Sequence, residues 1–174
     1  MTPLVARMTE FVLGIGLPCR TGDVPERTFM PGVTVDHGSI VFDPAKLTYP
    51  GDLLHEAGHL AVMSPERRRS AHWTAGQQAA DEMMAIAWSY AAAVHLQIDP
   101  AIVFHDGGYR GGSRALLENF AEGRYIGVPM LQWLGMTVDG RTAARTGVAP
   151  YPAMAKWINE RSVSRADAPG TRSA

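Results

Sequence analysis

The sequence predicts an α+β fold that is mainly helical, with a small β-hairpin or sheet packed beside one central helix. Three runs carry that expectation. Residues 74–96, TAGQQAADEMMAIAWSYAAAVHL, form a long Ala-rich segment with a broad apolar face. Residues 32–43, GVTVDHGSIVFD, alternate apolar and polar side chains on either side of a DHGS turn signal. Residues 49–65, YPGDLLHEAGHLAVMSP, hold an apolar helical stretch opened by Pro50 and Asp52 and closed by Ser64-Pro65.

Taken in order, the chain opens with a helix over 3–16, where Leu4, Met8, Phe11, Val12 and Ile15 recur at helical spacing and Pro18 stops the run. The apolar part, Phe11–Leu17, is short and preceded by Glu10, so an amphipathic helix is expected there rather than a signal peptide. Residues 17–32 are turn-rich and read as a loop. In the hairpin, Val33 and Val35 form one inward face and Ile40 and Phe42 the other. After the helix that closes at Ser64-Pro65, ERRRS reads as a solvated connection. Thr74 is the expected N-cap of the long helix. A short element and a glycine-rich loop follow, then helices over 113–122 and 127–135 and a last one in PYPAMAKWINE. Residues 1–161 read as a single domain, and 162–174, poor in large apolar residues, as a flexible tail.

Apolar residues make up 46% of the 174 and charged residues 19%, a globular composition. Sixteen basic side chains face seventeen acidic ones, a net charge of −1, so bulk charge directs the chain to neither nucleic acid nor membrane. No run reaches the roughly 18 apolar residues of a membrane span. A lone cysteine, Cys19, excludes an internal disulfide framework. A cytoplasmic protein is expected; the sequence does not fix its oligomeric state.

The chemistry concentrates in His55-Glu56-Ala57-Gly58-His59. On a helix, residues four apart lie about 40° apart around the axis and one turn up, so both imidazoles can aim at one ion. Zn2+ suits two such ligands. Glu56, one residue along, is poorly placed as a third ligand but can reach a water on the metal, the position of a general base. The flanking residues are uncharged, as a buried metal helix requires. Gly58 is costly inside a helix, which implies a close neighbour at that point.

Further along, Asp81 and Glu82 are the only acidic residues between Glu66 and Asp99. A carboxylate within this Ala/Met-rich helix needs a partner, and a metal ion is one. Adjacent residues diverge by about 100°, so only one of the two can face the ion, and the other is expected at the helix surface. His95 falls on a different face, and His37 and His72 are expected in exposed turns or loops. His105, Tyr109 and Arg114, in or beside the glycine-rich loop, are candidate donors to an oxyanion in a transition state.

HEAGH in a helix behind a hairpin resembles the zincin metallopeptidases, over roughly residues 30–95. The metzincin pattern is missing, because Val62 and Pro65 stand where its glycine and third histidine would be. The resemblance is therefore to the gluzincin type, similar to the short bacterial members. It implies Glu82 as third ligand, Glu56 as catalytic base and Zn2+ as cofactor. It also implies a peptide or protein substrate, lying along an edge strand for which GSIVF is the candidate. The alternative from another class is a noncatalytic zinc-binding regulatory or interaction module. Cys19 is expected to be an ordinary thiol; a sharper idea makes its thiolate a plug for the open metal position.

Overall fold

The computed structural model describes residues 1–26, 28, 30–72 and 79–162. α1 (Pro3–Gly14) starts where the Thr2 hydroxyl accepts from the Val5 amide at 3.3 Å, and it buries Val5, Met8 and Val12. β1 (Cys19–Thr21), β2 (Val33–Asp36) and β3 (Ser39–Phe42) form a sheet of order β1-β3-β2. β2 and β3 are the expected hairpin, in antiparallel register from Val33↔Phe42 to Asp36↔Ser39. Its two-residue turn has positive φ at His37 (45°) and Gly38 (76°), the twist that fits a tight hairpin.

β1 was not expected, and it changes what the sheet offers. It pairs in parallel with β3, Cys19 opposite Ile40 and Thr21 opposite Phe42. β3 is therefore the central strand, with both edges occupied. The proposed substrate edge in GSIVF is corrected: its backbone groups are already spent on β1 and β2.

α2 (Asp52–Val62) carries the two motif histidines, and every residue in it except Glu56 is buried. ERRRS is largely exposed to solvent, as expected, but it is helical: it makes up most of α3 (Pro65–Ser70), begun by the Ser64 cap. Arg68 turns back under α2. Its guanidinium donates to Leu60 O at 2.8 Å and Met63 O at 2.9 Å, and also to Asn159 O at 2.6 Å. Asn159 donates to Ala61 O and Val62 O. The last carbonyls of α2, which no helical amide can reach, are thereby satisfied.

α4 is described from Ala79 to His95; the expected Thr74 cap lies outside the described residues. Its small side chains Ala85, Ala87, Ala91, Ala92 and Ala93 are buried and let neighbours approach, while Trp88 fills the centre and donates to Trp157 O at 2.9 Å. Beyond α4 come short 3-10 turns at Pro100–Ile102 and Tyr109–Gly111, then α5 (Ser113–Ala121), α6 (Val128–Trp133) and α7 (Gly140–Thr146). α7 was not expected: Asp139 caps it through the Thr142 amide at 2.7 Å. The helix expected in PYPAMAKWINE does not form. Its amides go to distant partners instead, Ala155 and Lys156 to Met136 O and Asn159 to Ala61 O.

One contiguous core runs from Met8 through Leu54, Leu60 and Trp88 to Phe104, Phe120 and Met136. The architecture is α+β and mainly helical, as the sequence predicts. Among the described residues no helix is long and apolar enough to cross a membrane. The tail expectation concerns residues that, from 163 onward, lie outside the described ones.

Candidate metal centre

α2 and α4 touch backbone to backbone at Gly58. A Cβ there would lie 2.9 Å from Ala85 O and 3.3 Å from the Trp88 ring, which explains a glycine in mid-helix. The close approach brings Glu82, at the start of α4, over the motif histidines. His55 Nε2 and His59 Nε2 are 3.1 Å apart. Glu82 Oε1 lies 3.6 Å from the first and Oε2 lies 3.2 Å from the second. Both histidines are 2% exposed. The Glu82 side chain is 41% exposed, so the cluster is sealed below and open towards Glu82.

Three donors at these separations suit one small ion. Zinc bonds of about 2.0–2.2 Å give tetrahedral ligand–ligand edges of about 3.3–3.6 Å. The protonation states of His55 and Glu82 suit it as well, while the carboxylates around His59 favour a proton that an ion would have to displace. Burial, then the neighbouring His59, pushes the His55 pKa down to about 3, so its imidazole is neutral, the form that donates a lone pair. Burial also opposes charge on His59. The hydrogen bond to Glu82 and the carboxylates of Glu56, Glu82 and Asp81 outweigh it, and its pKa rises. Burial alone would raise Glu82, but the same hydrogen bond and the two histidines bring it below its ordinary value. Glu56 is pushed up to about 7, chiefly by burial.

Tyr109 belongs to the same cluster. Its hydroxyl is 3.1 Å from His55 Nδ1, with the two rings edge to face. In the tautomer that leaves Nε2 free for an ion, Nδ1–H donates to the Tyr109 oxygen and fixes the ring. Burial drives the Tyr109 pKa upward, so the phenol keeps its proton.

The other expected residues divide. His105 is held by Asp52, with Nε2 2.9 Å from Oδ1, and stacks on Tyr49 at 3.7 Å. Asp52 stands one turn before His55 on α2. It is buried, which raises its pKa against the opposing pull of His105. The pair ties the 105–111 loop, and with it Tyr109, to α2. The structure does not bring Arg114 to the cluster: its side chain is 88% exposed and pairs with Glu118. Asp81 departs from the surface position expected for the residue beside the ligand. It is buried and pairs with Arg67 at 2.5 Å, turned away from the histidines. His95 is exposed and rests on Phe11 and Trp157. Cys19 is buried in β1, and burial raises its thiol to about 11. A thiol so disfavoured as thiolate, and fixed in a strand, does not make the plug considered from sequence.

Asp52, Tyr49 and Arg67 were not among the expected site residues. Asp52 had a legible signal, because it sits three and four residues before His55 and Glu56 and shares their side of the helix. Arg67 had none, since its partner Asp81 lies 14 residues further on, in another helix.

Comparison with known proteins finds no matching family model, no matching curated protein and no matching solved structure.

Proposed function

We propose that the chain is a zinc-dependent metallopeptidase, with His55, His59 and Glu82 as ligands and Glu56 as general base. One observation carries this reading: the triangle of two imidazole nitrogens and a carboxylate, 3.1–3.6 Å on its edges, with a further carboxylate beside it on the same helix. A zinc ion held by these donors would supply a Lewis acid and lower the pKa of a bound water to about 7.

Glu56 takes the water's proton as the oxygen attacks a peptide carbonyl, and gives it to the departing amine nitrogen as the C–N bond breaks. Burial raises the Glu56 carboxyl above its ordinary range, which helps it hold the proton between the two transfers. Tyr109 is a positioning residue: its hydroxyl stands at Nδ1 of His55, across the ring from the Nε2 that faces the other two donors. His105 enters through Asp52 as a positioning residue. The substrate is a peptide or protein, and the balanced charge and single buried thiol go with a cytoplasmic setting.

The deciding experiment pairs metal analysis with a Glu56→Gln variant. The wild-type chain should hold zinc in its buried site and cleave a peptide library. Glu56→Gln should keep that zinc and lose cleavage by about 10²–10⁴-fold. Loss of zinc in Glu56→Gln would make Glu56 a ligand and overturn the assignment. Full zinc with no cleavage by the wild type would favour the noncatalytic zinc-binding module.

A further inference from the structure

We propose that the chain carries a second, surface metal site, built by Asp36 and His37 at the hairpin turn and His72 just beyond α3, which takes a divalent ion that favours imidazole, zinc foremost. The three residues each offer one ligand atom, all within 4.8 Å of one another. Asp36 Oδ1 lies 2.8 Å from His37 Nδ1 and 3.2 Å from His72 Nδ1. The two imidazole rings are 4.9 Å apart, inclined at 44°. Two imidazoles and a single carboxylate are a borderline-soft set, suited to Zn2+, Ni2+ or Cu2+ and ill-suited to Ca2+ or Mg2+.

The donors come from two segments that the backbone has already joined. The Gly38 amide donates to Ala71 O at 2.9 Å. A Cβ on Gly38 would stand 2.5 Å from Arg68 O, so the turn lies directly on the end of α3. Ala71 is the C-cap of α3, and His72 is the next residue. Arg68 in turn fastens α3 to α2. An ion therefore finds three donors gathered without any further ordering of chain, the condition that favours affinity at an open site.

Exposure sets its character. The side chains are 38%, 76% and 44% exposed for Asp36, His37 and His72, so water completes the coordination and binding is weaker than at the buried cluster. Arg20, 3.1 Å from Asp36 Oδ2, holds the far side of the carboxylate and opposes a cation by its charge. Occupancy would cross-link the hairpin turn to the connection that leads into α4, the helix carrying Glu82. The proposal does not rest on the peptidase reading.

The test is Zn2+ titration of the untagged 174-residue chain by equilibrium dialysis, with Ni2+ in parallel. Two classes of site are expected. His37→Asn keeps a residue at home in the left-handed turn and removes the imidazole, and His72→Gln removes the other. Each should weaken the weaker class at least about tenfold and leave the tighter class intact. Arg20→Gln should tighten the weaker class. In the wild-type chain, added zinc should move the imidazole resonances of His37 and His72, a readout independent of any variant. A single class untouched by either substitution overturns the proposal, as do two classes that both survive the double variant. A single class lost in that double variant but kept in His59→Ala upholds the surface site and sinks the buried one.

Discussion

The buried cluster of His55, His59 and Glu82 and the exposed cluster of Asp36, His37 and His72 offer the same donors in opposite surroundings. In the first, two helices of the core fix the donors, and burial holds His55 neutral down to a pKa of about 3. Outer partners set the geometry further, Tyr109 on His55 and the Asp52–His105 pair on the loop that carries Tyr109. In the second, only a turn docked on a helix end gathers them, and the Asp36 carboxylate is held low by a hydrogen bond with His37 and is open to water. The donor set defines which ions can bind. Desolvation and prior fixation define how strongly, and whether chemistry can follow.

The largest expected effect breaks the two clusters apart. His59→Ala should cost the buried site more than about a hundredfold in zinc affinity and abolish hydrolysis. His72→Gln should leave the affinity of the buried site and any hydrolysis within about twofold. Equal effects of the two substitutions in zinc titration would mean that the clusters are not independent.

Next comes the Arg67–Asp81 pair, which joins α3 to α4. Arg67→Ala strands the Asp81 carboxylate in a buried position and should cost about 2–4 kcal/mol. Asp81→Ala leaves a guanidinium that is 48% exposed and can turn to solvent, for about 1 kcal/mol. Urea unfolding of the two variants checks the asymmetry. The reverse order would show that Asp81 is not the buried member in solution.

Tyr109→Phe tests prior fixation alone. Removing one hydroxyl should weaken zinc binding about tenfold, while thermal unfolding without metal shifts by no more than about 1 kcal/mol. Unchanged affinity would mean that the Tyr109 contact does not orient His55. The smallest effect concerns Cys19. With its thiol raised to about 11, native protein at pH 8 should react with iodoacetamide at least about tenfold more slowly than unfolded chain. Prompt native labelling, blocked by zinc, would bring Cys19 back as a partner of the buried site.

The features legible in the sequence share one property: they are written in neighbouring residues. Helical spacing gave α1, α2 and α4, the DHGS turn gave the hairpin, and His55-x-x-x-His59 gave two donors of the buried cluster. Glu82 came from resemblance, which the close approach of α4 at Gly58 now gives a geometric basis. What stayed hidden depends on distant partners. β1 is three residues long and is a strand only because β3 lies beside it. The 150–160 segment has helical composition, but its amides bond to Met136 O and Ala61 O. Asp81 is buried because Arg67 reaches it. Asp36, His37 and His72 look like loop residues until the turn docks on α3.

The backbone contact at Gly58 also decides how the three donors depend on one another. His55 and His59 stand one turn apart on α2, so their 3.1 Å separation is local to that helix. Glu82 comes from α4, and the close approach of the two helices at Gly58 brings its oxygens to 3.2–3.6 Å from the imidazoles. A bulkier residue at 58 would push α4 back and leave the histidine pair with its third member out of reach. The helix supplies two prongs of the clasp; the glycine lets the third one close.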